Sequence, residues 1–396
     1  MGTSRRGRCF RGPGPGSFRA RAQGMAALAA GLAAGAFLVI SPRAGGPAGT
    51  PATAPEEGIL SCPAYRPEAG GSAPALVSFE VLEMDSGYEL EYKWKDFHER
   101  VLSIRFRVPR QTLLATEDEF GYSPEDLRAV LEEEAGRMQV EASRKIRART
   151  RELMGQSEFG RYMTLKERGE DRLVLSYDVS PSLDQLLREA VTDIRDRVNH
   201  ETVLQGLRIE NALKKKRQDY LEARGMRWRK DDRIEIDYKR CIDRNLFPMR
   251  EIADAMWSAT GSDRPSLRLE ALLSFVQSLG YEVPPDVEDG KNIGGFWVPA
   301  RVLVEGRGDC DSRAVLAASI WRNDHRNLLI LVKLARHVLL GISGLAETRG
   351  IAILVRSTRY ELMELSPKDV KFPPGVVSAQ ALAELRSGRY EVESLN

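Results

Sequence analysis

The residues best placed to do chemistry lie in Gly306-Arg307-Gly308-Asp309-Cys310-Asp311-Ser312, followed by the apolar run Ala314-Val315-Leu316-Ala317-Ala318. A glycine-rich loop runs into a helix, and the cysteine sits at the junction. A helix N-terminus offers unpaired N–H groups and a partial positive charge. Both favour a thiolate, which is the attacking form of a cysteine. Asp309 and Asp311 oppose that lowering of the thiol pKa. His337 follows Cys310 by 27 residues and opens the apolar stretch Val338-Leu339-Leu340-Gly341-Ile342. Glu364 follows His337 by a further 27, near the end of Tyr360-Glu361-Leu362-Met363-Glu364-Leu365 and just before Ser366-Pro367. Both stretches read as strands, and two adjacent antiparallel strands would hold His337 and Glu364 side by side. The expected roles are nucleophile for Cys310, general base for His337, and for Glu364 the acid that fixes the imidazole tautomer. Glu361 competes for the third role but points to the opposite face of its strand. His325, in an Arg-Asn-Asp-His-Arg loop, is expected at the surface.

The elements that must position these residues are legible from pattern. Leu267 to Leu279 reads as a buried helix stopped by Gly280, where a helix end favours glycine. Ile252 to Trp257 carries helical apolar spacing, and Ser319 to Val332 and Ile351 to Leu365 carry apolar runs fitting core helix and strands. Upstream, Val77–Glu83 and Tyr88–Trp94 alternate about the turn signal Asp85-Ser86-Gly87, and Val101–Val108 alternates again. Ser123-Pro124-Glu125-Asp126 opens a helix with an N-cap serine and proline at its first position. Leu127, Leu131, Met138, Ala142, Ile146 and Leu153 keep its apolar stripe, expected to pack on the sheet. Leu173–Tyr177 is a further strand, and a second long helix starts near Ser182 with Leu183, Leu187, Ala190, Ile194 and Val198 on one face.

The ordered motifs of the C-terminal part resemble the transglutaminase-like superfamily, a branch of the papain-like cysteine-enzyme fold, in its bacterial and archaeal form. They are Phe275-Val276-Gln277-Ser278-Leu279-Gly280-Tyr281, Phe296-Trp297-Val298-Pro299 leading to Gly308-Asp309-Cys310-Asp311, His337-Val338-Leu339-Leu340-Gly341-Ile342, and Tyr360-Glu361-Leu362-Met363-Glu364. The resemblance spans roughly residues 245–368. It implies a catalytic set of Cys310, His337 and Glu364, with the acid a glutamate where the superfamily usually has aspartate. The residues after the histidine are Val-Leu-Leu where many active members carry an aromatic. The Cys310 backbone N–H is the natural first donor to an oxyanion. Gln277 and Trp297 are the two candidates for the second. No cofactor or metal is required.

The whole chain then reads as α+β: an N-terminal sheet-plus-helix module, long charged helices and a C-terminal papain-like, transglutaminase-like domain. The divisions are a basic arm at 1–24, a signal-anchor or signal peptide at 25–40, a flexible linker at 41–75, the α+β module at 76–180, a charged helical connector at 181–235 and the transglutaminase-like domain at 236–396. Six arginines and no acid precede the apolar run Met25–Ile40, the pattern of an export signal or membrane anchor. The folded body is therefore expected outside the cytoplasm, as a periplasmic or extracellular domain of a single-pass membrane protein, or secreted. Residues 41–75, rich in Pro, Gly, Ala, Thr and Ser, read as a tether.

Composition narrows the classes. The 396 residues are 42% hydrophobic, enough for a sizeable core, and 59 basic against 57 acidic residues leave a net charge of +2. That balance argues against a dedicated nucleic-acid binder. The basic concentrations Lys214-Lys215-Lys216-Arg217 and Arg227-Trp228-Arg229-Lys230 read as solvated, acid-balanced helix faces, with contact to an anionic polymer as the sharper alternative. Four cysteines, none in a CxxC pair, exclude a disulfide-dense scaffold and a zinc ribbon. Cys9 would remain cytoplasmic, and Cys62 and Cys241 could pair in an oxidising exterior, leaving Cys310 free. The expected partner is a peptide, protein or cell-wall amide, taken by a cysteine hydrolase or acyl transferase. The alternative is a non-catalytic scaffold of the same fold that binds peptide or cell wall.

Overall fold

The computed structural model describes residues 59–60, 76–168, 172–177, 184–229, 231–345, 350–367 and 370–396. The basic arm at 1–24 with Cys9, the expected signal or anchor at 25–40, and most of the 41–75 linker with Cys62 lie outside the described residues. No described helix is long and apolar enough to cross a membrane.

The architecture is α+β, in two compact units. Of the described residues, the smaller unit takes in those at 128–168, 172–177, 184–218 and 231–232. It holds most of two long helices, α2 (Pro124–Gln156) and α3 (Asp184–Ala223), and the antiparallel hairpin β5 (Met163–Arg168) and β6 (Arg172–Tyr177) between them. Leu153, Met163, Leu187, Val191 and Ile194 form its core. The outward faces are laced with pairs one turn apart, such as Lys145 with Glu141 at 2.6 Å and Arg197 with Asp193 at 3.0 Å. Exposed pairs of this kind add little stability each.

Of the described residues, the larger unit takes in those at 59–60, 76–127, 219–229, 233–345, 350–367 and 370–396. Its main sheet has six strands, all paired antiparallel: β1 (Ile59–Leu60), β15 (Ala352–Val355), β16 (Thr358–Met363), β14 (Val338–Ser343), β13 (Leu329–Lys333) and β17 (Glu391–Ser394), in that order. The strand β13 reads Leu-Ile-Leu-Val-Lys, and its first four residues are buried. Such a continuous apolar run marks a strand covered on both faces. One face packs against α9 (Ala379–Arg386), whose Ala381 and Leu385 join Ile330, Val332, Leu339, Ile353 and Leu362. Against β14 lies α8 (Cys310–Arg322). Every residue of α8 from Ser312 to Trp321 is buried. A helix buried all round must be central, and α4 (Tyr238–Asn245), α5 (Arg250–Thr260), α6 (Pro265–Ser278) and α7 (Pro299–Glu305) all touch it.

A second sheet of three strands, β2 (Leu76–Met84), β3 (Gly87–Lys95) and β4 (Val101–Pro109), belongs to the same unit. Leu90, Tyr92 and Trp94 alternate inward on β3, as do Ile104, Phe106 and Val108 on β4. The strand β4 packs on α5, and β3 packs on α6. The indole N–H of Trp94 donates to Ser274 Oγ at 3.0 Å, and the Tyr92 hydroxyl donates to the Leu303 carbonyl. The Phe275 ring meets both aromatics edge-on. This grouping by packing differs from the division along the sequence, which joins the sheet to the helix after it. Both aromatic anchors find their polar partners about 180 to 210 residues further on, a pairing that local pattern does not reveal. The short helix α1 (Arg110–Asp118) and the small pairs β7 (Met226–Trp228) with β8 (Ile234–Ile236), β10 (Val287–Glu288) with β11 (Lys291–Asn292), and β9 (Gly280–Tyr281) with β12 (Arg307–Gly308) complete the unit.

Candidate active site

The chain delivers Cys310 through a tight succession of caps. Pro299 opens α7, and Gly306 closes it in the left-handed conformation at φ 65°. A side chain at Gly306 would also meet the Phe79 ring at 2.6 Å, so glycine is required twice over. Arg307–Gly308 then pairs in parallel with Gly280–Tyr281. Asp309 caps α8 by accepting the Ser312 N–H at 3.2 Å, and Cys310 is the first helical residue. The backbone N–H groups of Val338 and Asp311 act on its thiol and favour the charged form. Val338 directly follows His337.

His337 stands just ahead of β14 and Glu364 just after β16. These strands pair with Leu340 opposite Met363, so the two side chains meet at one end of the pair. His337 Nε2 and Glu364 Oε1 lie 2.5 Å apart, with the Glu364 side chain 2% exposed and the ring 21% exposed. The Ser366 N–H reaches the same carboxylate oxygen at 3.4 Å. Glu361 lies three residues back, buried, within 3.9 Å of Arg359. The structure therefore brings His337 and Glu364 together, and the Val338 N–H that follows His337 acts on the Cys310 thiol.

The electrostatics correct one expectation. Burial foremost, then the charges of Asp311 and Asp309, push the Cys310 thiol up to about 12, against the opposing N–H groups of Val338 and Asp311. The helix terminus does not prevail, because two carboxylates flank the sulfur in a partly dry site. Burial and a hydrogen bond to Asp311 also raise the Asp309 carboxyl, to about 8, so Asp309 keeps its proton near neutrality. Asp311 Oδ2 accepts the Tyr238 hydroxyl at 2.7 Å, and burial keeps that phenol protonated far into the alkaline range. Asp309, Cys310 and Asp311 place their ligand atoms within 4.8 Å of one another and could reach a common ion. Their oxygens are already engaged by Ser312, Tyr238 and each other.

The two candidates for the second oxyanion donor part company. Gln277 spends its amide on the backbone: Nε2 donates to the Glu364 carbonyl at 2.8 Å and to the Phe372 carbonyl at 2.7 Å, and Oε1 accepts the Phe372 N–H at 3.2 Å. It has no donor left for a substrate. Trp297 donates its backbone N–H to Ser312 Oγ at 3.0 Å, while its buried Nε1 has no hydrogen-bond partner among the described residues. That indole is the one of the two with an unspent N–H.

His325 is half-buried rather than at the surface. Its ring stacks on Trp321 with centroids 3.7 Å apart and meets Trp257 edge-on, and burial lowers its pKa. Cys241 is a free, buried thiol, raised by burial and by Asp237. Of the basic stretches, Arg227 pairs with Glu393 at 2.7 Å and Arg229 with Glu391 at 3.1 Å. Two residues of the site escaped the sequence reading. Tyr238 lies 73 positions before its partner and carries no local signal. Arg313 stood in view, one turn after Cys310, with its charge hidden among apolar neighbours. It is 1% exposed and donates to the carbonyls of Leu279 at 2.6 Å and Leu365 at 3.3 Å.

No family model, curated protein or solved structure matches this chain.

Proposed function

We propose that the protein is a cysteine hydrolase or acyl transferase of the transglutaminase-like, papain-like kind, acting on amide bonds of peptides, proteins or cell wall. Residues 25–40 would export it or tether it to a membrane. The observation that carries the reading is the His337–Glu364 pair at 2.5 Å, with the N–H of the next residue, Val338, favouring the charged form of the helix-start Cys310.

Nε2 of His337 is held by Glu364, so Nδ1 is the nitrogen left to exchange a proton with sulfur. The Cys310 Sγ–H proton passes to Nδ1 as sulfur attacks the carboxamide carbon. Transfer concerted with attack suits a thiol whose resting pKa is high better than a preformed thiolate does. The Cys310 N–H and the free indole N–H of Trp297 are the donors proposed for the oxyanion. The tetrahedral intermediate collapses, the C–N bond breaks, and imidazolium returns the proton to the leaving amine, leaving a thioester. Water then releases a carboxylic acid, or an acceptor amine forms a new amide, and the thiol is regenerated.

A second reading is a scaffold that binds the same ligands without turnover, favoured by the elevated thiol. Alkylation by iodoacetamide across pH 5–10, read at Cys310 by peptide mass, separates the two. Under the enzyme reading His337→Ala slows labelling near neutral pH by about 10-fold or more, the equivalent of one pKa unit. Amide turnover on peptide and cell-wall substrates disappears in Cys310→Ala. Slow labelling that His337→Ala leaves unchanged refutes the enzyme reading.

A further inference from the structure

We propose that Gln277 is the positioning residue for Glu364: its buried side-chain amide fixes the backbone from which the carboxylate reaches His337. This inference rests on the cysteine-enzyme reading above and gives Gln277 a different job from donating to an oxyanion.

Three observations carry it. Gln277 is 5% exposed, on the last turn of α6, a helix buried from Ala271 to Ser278. All three of its hydrogen bonds go to main chain at two points eight residues apart, Glu364 and Phe372. A primary amide is the one neutral side-chain group that can give two N–H donors and accept at the same time. Carbonyl, carbonyl and N–H are the three partners offered here, so the group matches its surroundings in kind and number. Arg313 holds the next carbonyl, Leu365, from the Cys310 helix. The acid is thereby referenced to α6 through one side chain and to α8 through another.

Glu364 gains no such support from its own strand, since β16 ends at Met363. Its carboxylate takes the Ser366 N–H only at 3.4 Å. The carboxylate is directed at Nε2 by where its backbone sits, and Gln277 sets that place. Positioning of this kind acts on the reaction only through the acid.

The test is a double-mutant comparison in the full chain, read by the pH profile of Cys310 alkylation with iodoacetamide. Gln277→Met, near-isosteric and unable to donate, is made in the wild type and in Glu364→Gln. The proposal expects the wild-type profile to move to higher pH, with labelling at pH 7 slowed about 10-fold, the order expected when a hydrogen bond to a charged group is lost. It also expects almost no further change when Gln277→Met is added to Glu364→Gln. An equal effect in both backgrounds, or a profile superimposable on wild type, overturns the positioning role. A wild-type profile indifferent to His337→Ala is a separate result: it removes the enzyme reading and takes this inference with it. Should Gln277→Met not fold, the Phe372 amide decides in the unmodified protein. Hydrogen exchange as slow as that of the α6 core supports the clamp, and exchange at the rate of an open loop overturns it.

Discussion

Replacing Asp309 by asparagine should stabilise this protein, and more so as pH rises. The carboxyl is 8% exposed, lies against the Asp311 carboxyl and caps α8 through the Ser312 N–H. Burial and Asp311 raise its pKa to about 8, against an ordinary value near 3.8. The folded protein therefore keeps a proton that the unfolded chain releases. The sign follows from linkage. Below about pH 4 both states are protonated and the group is neutral to stability. From pH 4 up to 8 the unfolded chain gives up the proton and the folded one does not, so stability falls throughout this window. Four units at about 1.4 kcal/mol each give a ceiling on the order of 5 kcal/mol at pH 8. Because the Asp309 carboxyl interacts tightly with a neighbouring carboxylate, a fraction of that, on the order of 1–2 kcal/mol, is the working expectation. The substituted asparagine would keep the acceptor for Ser312 and offer an N–H to Asp311, imitating the protonated acid. Thermal unfolding of the two proteins between pH 4.5 and 8 is the assay. The variant should unfold a few degrees higher at pH 8, at about 2–4 °C per kcal/mol for a body of this size, and the gap should close towards pH 4.5. A gap that stays constant with pH, or a variant less stable at pH 8, would refute the reasoning.

Glu364→Gln should slow alkylation of Cys310 at pH 7 by about 10-fold or more while circular dichroism is unchanged, because a neutral amide replaces the carboxylate that holds the ring through Nε2 at 2.5 Å. Trp94→Phe removes the donor to Ser274 Oγ from a fully buried position. Urea unfolding should report a loss of about 2 kcal/mol, part cavity and part the lost bond to Ser274 Oγ, whose hydroxyl still donates to the Ala271 carbonyl at 3.0 Å. Gly341→Ala places a methyl 2.5 Å from Ile330 Cγ1 in the middle of the main sheet, and the same assay should show a loss of about 1–3 kcal/mol from overpacking.

The strands of the three-stranded sheet were readable because Tyr92, Trp94, Ile104 and Phe106 alternate with polar residues on a half-buried surface. The helix start at Cys310 was readable because Gly306 and Asp309 are cap residues with local causes. The meeting of His337 with Glu364 followed from two strands and their spacing. Other features depend on the fold. The strand at Met163–Arg168 lacks a distinctive pattern and became visible only through its pairing with Arg172–Tyr177. His325 has the neighbours of a surface loop, yet two tryptophans enclose it, one of them 68 positions away. Gln277 is legible as a polar residue on an apolar helix, but what it bonds to is set by backbone 87 and 95 positions further on.

The charges around Cys310 also shape how its thiol ionises. A helix N-terminus and two backbone N–H groups favour negative sulfur; burial and two adjacent aspartates disfavour it, and the second group prevails. With Asp309 protonated near neutrality, one of the two opposing charges is switched off. As pH rises past 8 that charge appears beside Cys310 and opposes thiolate formation just where a simple thiol would begin to ionise. Alkylation of Cys310 should therefore rise with pH less steeply than for a lone thiol, and Asp309→Asn should restore the ordinary slope. The comparison isolates one charge, because the asparagine leaves the cap, the helix and the His337–Glu364 pair in place. An identical slope in the two proteins would mean that the Asp309 charge does not reach the sulfur, and that burial alone sets its reactivity.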